Sequence, residues 1–142
     1  MRSTLFFIVL MAMNACLAGV VSAELVVIVN ANNPISELTR EQVVDLYMGR
    51  RTQFPDGRPA LPIDLSPDSP LRAAYYQTLV GKTVAQVNAY WARLLFTGRA
   101  TPPRVLSTPE TVLDVVHANP DAIAYLDSQM LDDHVHIVYR LR

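Results

Sequence analysis

The sequence predicts an α/β domain built on a mainly parallel sheet of about five strands, with helices on both faces. Three observations carry this expectation. Short apolar runs alternate with segments of helical period in the order β-α-β-α-α-β-α-β-β, and strands separated by helices imply βαβ crossovers. The first run, LVVIVN at 25–30, is continuously apolar and β-branched up to its final Asn, as expected of a strand buried on both faces. Thr39, Ser69, Thr83 and Thr108 each stand just ahead of a helical pattern, where a hydroxyl can cap the first free amides.

The chain opens on MRSTLFFIVLMAMNACLAGVVSAE. Arg2 precedes an apolar run from Leu5 to Met13, and Val21-Ser22-Ala23 fits the small-x-small cleavage pattern of a secretory signal peptide. The run is short for a membrane span. Residues 1–23 are therefore read as a signal peptide and 24–142 as the mature domain, exported to the periplasm with no membrane span after cleavage. Asn14 sits where acylation of Cys16 as a lipoprotein would want a small or apolar residue, which argues against a lipid anchor. Cys16 is the one cysteine, so cleavage leaves no thiol for disulfides, zinc ligation or nucleophilic attack. The formal charge of −1 becomes −2 when Arg2 is removed. Without a basic face, nothing points to nucleic acid.

Within the mature part, ANNPIS is a turn. LTREQVVDLYMG carries a capping box, with Thr39 as N-cap and Gln42 three residues on. Val43, Leu46 and Tyr47 fall on one face, and Gly49 marks the stop. A polar connector with a Pro-Asp-Gly turn leads to LPIDL at 61–65, whose Pro62 suits a strand start or an edge. The stretch SPDSP then enters a helix that ends at Gly81. Thr83 and Gln86 box the next helix, where Val84, Val87, Trp91, Leu94 and Leu95 form an apolar stripe, stopped by Gly98. A short strand around Arg104–Leu106 follows. Thr108 caps a helix with Pro109 at its first position and Val112, Val115 and Val116 facing inward. AIAYL at 122–126 is a strand, and HVHIVYRL alternates as the last one, which could lie antiparallel at an edge.

One local feature suggests chemistry. With Ser69 as N-cap and Pro70 at the first helical position, the amides of Leu71 and Arg72 stand at a helix start. Together with the helix dipole, the Arg72 guanidinium and the hydroxyls of Ser66 and Ser69, they could hold an oxyanion. The plainer reading is that Ser69 satisfies those amides and Arg72 lies on the surface. His134 and His136 would project to one side of a strand as a metal-ligand pair, but spacing supplies no third ligand, and a solvated strand face is simpler. Asp132-Asp133 reads as a solvated turn, and Tyr75, Tyr76, Tyr90 and Trp91 as packing rather than a stacking platform. No G-x-S-x-G elbow, H-E-x-x-H or phosphate-cradling glycine loop is present. The expectation is therefore a non-enzyme without cofactor or metal.

Taken together, the segments resemble phosphate-type periplasmic substrate-binding proteins. VVIVNANNPISELTREQVVDLYMGRRTQFPDGRP (26–59) is similar to the segment opening one lobe of the type 2 periplasmic-binding fold. LPIDLSPDSPLRAAYYQTLVGK (61–82) is similar to the next strand and the phosphate-binding helix entry, and YWARLLFTGRATPP (90–103) and DAIAYL (121–126) to a later helix and strand. The resemblance implies a single lobe of that fold, and a small oxyanion such as phosphate held at Ser66, Ser69, Leu71 and Arg72. Two features depart from it. The chain has room for about one lobe where such binders clamp ligand between two. The family's strand-end arginine and Ser-Gly-Thr run are replaced by Asp64, which repels phosphate, and by Asp68-Ser69-Pro70, whose proline removes an amide donor. The alternative expectation is an envelope interaction or assembly module, binding a protein partner or itself, that has lost its ligand.

Overall fold

The computed structural model describes residues 24–142; the expected signal peptide and Cys16 lie outside the described residues. The elements are β1 (Leu25–Asn30), α1 (Arg40–Tyr47), β2 (Leu61–Leu65), α2 (Pro70–Val80), α3 (Val84–Thr97), β3 (Arg104–Leu106), α4 (Pro109–Ala118), β4 (Ala122–Asp127), a 3-10 turn at Ser128–Met130 and β5 (Val135–Arg140). Their order is the expected one. Each anticipated cap is present: Thr39, Ser69, Thr83 and Thr108 accept from the amides of Gln42, Arg72, Gln86 and Thr111. Both capping boxes close reciprocally.

The five strands form one sheet in the order β3-β2-β4-β1-β5. β2 runs parallel to β3 and β4, while β1 runs antiparallel to β4 and β5. Four strands thus share a direction, and β1, inserted between β4 and β5, is reversed. The edge strand β5 is antiparallel to its only neighbour, as expected. Val26 to Val29 and Ala122 to Leu126 are buried at every consecutive residue, so both faces of the central strands are covered. α4 packs along β1–β4, whereas α2 packs on β2 and supports α1 and α3.

Two local irregularities have clear causes. β5 does not alternate in burial: its register shifts opposite Val27 and Ile28, which pair with Tyr139 and Ile137. Val138 is the extra residue of this bulge, and its carbonyl accepts from the Leu38 amide at 2.8 Å. Pro62 lies in an interior strand rather than at an edge, but it precedes the β2–β3 pairing, which begins at Ile63. The α3 stripe is narrower than its pattern suggests. Val87 and Trp91 are buried, while Leu95 is 54% and Phe96 94% exposed; α3 packs on α2 rather than on the sheet.

Candidate functional site

The carboxyl end of β2 delivers Asp64 into the interior, and the Ser66–Ser69 turn, closed by Ser69 N–H donating to the Ser66 carbonyl at 2.9 Å, reverses the chain into α2. Arg72 then sits in the first turn of the helix, on its buried face. Both charged side chains are almost fully buried, Asp64 at 3% and Arg72 at 5% exposure. Arg72 Nε lies 3.3 Å from Asp64 Oδ1. That contact is ionic, without good hydrogen-bond alignment, so Nε and Nη1 have no hydrogen-bond partner among the described residues. Arg72 Nη2 donates to Asn88 Oδ1 at 3.1 Å, and the guanidinium carbon lies 5.1 Å from the centre of the Tyr76 ring, a cation–π arrangement.

Asp64 accepts three further hydrogen bonds. The Tyr76 hydroxyl donates to Oδ2 at 2.7 Å, the Tyr125 hydroxyl donates to Oδ1, and the Leu65 amide donates to Oδ1 at 2.8 Å. Tyr125 arrives from β4, which neighbours β2 in the sheet. Tyr47 closes the cage from α1, its hydroxyl donating to the carbonyls of Ile63 at 2.8 Å and Ile123 at 3.1 Å. Tyr75 stacks on Tyr125 with ring centres 3.7 Å apart, and the other tyrosine pairs meet edge to face. Burial, reinforced by the Asp64 charge, pushes the hydroxyls of Tyr47, Tyr75, Tyr76 and Tyr125 well above the ordinary tyrosine pKa. They remain protonated, and Tyr47, Tyr76 and Tyr125 act as donors. A carboxylate ringed by an arginine, two phenols and an amide has the partners that an oxyanion would have. Here the oxyanion is the protein's own.

The four residues read from the sequence are distributed unevenly around this cage. Ser66 and Ser69 mark the α2 entry, but the Ser66 hydroxyl donates to Asp68 Oδ1 at 2.6 Å and the Ser69 hydroxyl oxygen accepts from the Arg72 amide at 3.4 Å. The Ser66 hydroxyl holds the exposed Asp68 carboxyl below its usual pKa. Leu71 is half-buried against the core. The Arg72 guanidinium is drawn inward to Asp64 rather than lying on the surface. The two strand histidines also part: His136 Nε2 lies 2.6 Å from the Ile35 carbonyl oxygen, while His134 turns toward Asp132. A surface cleft of about 830 Å³ lies elsewhere, between the end of α1 and the 52–57 turn, and Arg50, Arg51 and Arg99 line it. Asp45 within it takes up both Arg50 and Arg51, at 3.7 and 3.6 Å. Sequence reasoning placed Asp64 at the site but only as a group repelling phosphate. Its real signal was an aspartate inside an otherwise apolar strand, followed by an arginine in the next helix.

This architecture is that of one lobe of a type 2 periplasmic-binding fold. Solved structures of that kind superpose on most of the chain. One is a putative phosphate ABC transporter substrate-binding protein with bound phosphate from Clostridium perfringens, at TM-score 0.67 and 22% identity over 82% of this chain and 44% of that one. Another is an ABC-type phosphate transport receptor from Vibrio cholerae, at TM-score 0.66 and 18% identity over 82% and 45%. A third is a possible phosphate binding protein from Planctomyces limnophilus, at TM-score 0.61 and 12% identity over 82% and 40%. At these identities the likeness shows the shared fold. The chain spans less than half the length of each. No family model and no curated protein matches the sequence. Among the described residues, no helix is long and apolar enough to cross a membrane.

Proposed function

We propose that this chain is an exported, periplasmic, non-enzymatic relative of phosphate-type substrate-binding components that has passed from ligand capture to interaction with another envelope protein or a second copy of itself. The observation that carries this reading is the Asp64 carboxylate, which occupies Arg72, Tyr76, Tyr125 and the Leu65 amide at the carboxyl end of β2. In open α/β sheets a ligand approaches at that end. A phosphate arriving there would meet a buried negative charge instead of free donors. Support for the interaction role comes from the apolar groups left outward, Phe96 above all.

Titration calorimetry with phosphate and sulfate tests the first half, and no saturable heat is expected at millimolar anion. Light scattering and pull-down from a periplasmic extract test the second, and a strict monomer retaining no partner refutes it. A second reading keeps a weak oxyanion contact at Ser66, Ser69, Leu71 and Arg72. It is favoured by Arg72 Nη1, which has no hydrogen-bond partner among the described residues. Saturable binding of phosphate that disappears in Arg72→Ala would establish this reading over the first.

A further inference from the structure

A second cluster lies away from the Asp64 cage, where the C-terminal turn of α4 meets the turn before β5. His117 Nε2 sits 3.1 Å from Oδ1 and 3.0 Å from Oδ2 of Asp132. His134 Nδ1 sits 3.6 Å from Asp132 Oδ1. One ligand atom from each of the three residues falls within 4.8 Å of the others, and the two imidazole centres are 5.0 Å apart. A tetrahedral zinc ion with bonds of about 2.0–2.1 Å holds its ligand atoms roughly 3.3 Å apart. Both edges that run to Asp132 are within a few tenths of an ångström of that spacing. The remaining His–His edge can close by rotation of His134, whose side chain is 71% exposed.

The backbones that carry these ligands are anchored to adjacent residues at the end of β1. Asn30 Nδ2 donates to the carbonyls of Val116 at 2.7 Å and His117 at 3.0 Å. The next residue, Ala31, donates its amide to the His134 carbonyl at 2.9 Å. The His134 amide in turn donates to Asp132 Oδ1 at 3.0 Å, fixing the carboxylate within its turn. Outer hydrogen bonds of this kind hold ligands in place before a metal arrives. Asp133 Oδ1, 3.5 Å from His134 Nδ1, adds negative charge beside it. Two imidazole nitrogens with a carboxylate suit zinc and its neighbours in the transition series. They do not suit calcium or magnesium, which prefer oxygen alone.

We propose that His117, Asp132 and His134 form a binding site for one divalent transition-metal ion of the zinc class, which pins the end of α4 to the start of β5. The sequence offered only His134 and His136 as a pair. The fold replaces His136 with His117 and supplies the carboxylate.

The test is competition for zinc against a chromophoric chelator, using the untagged full chain with Cys16→Ser to remove its one thiol. One equivalent of zinc is expected per chain. His117→Ala and His134→Ala should weaken it by more than about 100-fold, exceeding the loss typical of an outer-shell partner, while His136→Ala should bind as the parent does. Circular dichroism confirms folding of each variant, and His117→Gln and His134→Gln serve where an alanine variant is unstable. Ring proton NMR signals of His117 and His134, and not His136, should shift on zinc addition. Absence of stoichiometric zinc, unchanged affinity in the His117 and His134 variants, or dependence on His136 overturns the assignment.

Discussion

Replacing Asp64 with alanine removes the acceptor at the centre of the cage and leaves the Arg72 cation in an interior where it is only 5% exposed. Arg72 would keep Asn88 as its single hydrogen-bonded partner, while Tyr76 and Tyr125 would lose the carboxylate. Removing one member of a buried ion pair costs about 3–5 kcal/mol, because the survivor is stranded without compensation. That is a large share of the roughly 5–15 kcal/mol available to a domain. For a domain of residues 24–142, at about 4 °C per kcal/mol, the melting temperature should fall by about 12–20 °C. Urea denaturation followed by circular dichroism and calorimetric melting measure the loss. In Asp64→Ala with Arg72→Met the charge is removed with its partner, so much of the stability should return. Acetate or phosphate should also raise the melting temperature of Asp64→Ala more than that of the parent, since the vacated position retains its donors. A loss below about 1 kcal/mol in the single variant refutes the reasoning. So does a double variant no more stable than the single one.

Alkali provides an independent probe of the cage. Tyr47, Tyr75, Tyr76 and Tyr125 have folded-state pKa values raised by burial well above the ordinary tyrosine value of about 10. Their stabilising effect is complete below pH 10 and is lost as pH climbs above it, because the unfolded phenols ionise first. Each contributes a slope of about 1.4 kcal/mol per pH unit, or roughly 5–6 for the four. Ultraviolet tyrosine titration should therefore coincide with cooperative unfolding, and independent ionisation of all tyrosines near pH 10 in a folded domain would count against the cage. At Gly49, with φ of +71°, an added Cβ would lie 2.6 Å from Trp91 Cη2. Gly49→Ala should cost at least about 1–3 kcal/mol from the backbone and alter Trp91 fluorescence, both measurable in one urea titration.

Much of the architecture could be read in the chain because its signals are local. The caps at Thr39, Ser69, Thr83 and Thr108 involve residues three positions apart, and the unbroken apolar run in β1 reports two covered faces directly. The candidate site was legible in place but not in partnership. Ser69 as cap follows from the SPDSP stretch, whereas the inward course of Arg72 depends on Asp64 eight residues back and Asn88 sixteen ahead. Leu95 fits the helical stripe, yet nothing in that period discloses that α3 leans on α2 and leaves Leu95 outside.

The sequence by itself determined which segments are strands and helices, and where they begin and end, since periodicity and capping act over three or four residues. Only the tertiary structure decided that β1 is reversed between β4 and β5, that Tyr125 closes on Asp64 from 61 residues away, and that His117 joins Asp132 and His134. Those are meetings between distant segments, set by how the apolar faces of whole elements find each other, and no local pattern encodes them.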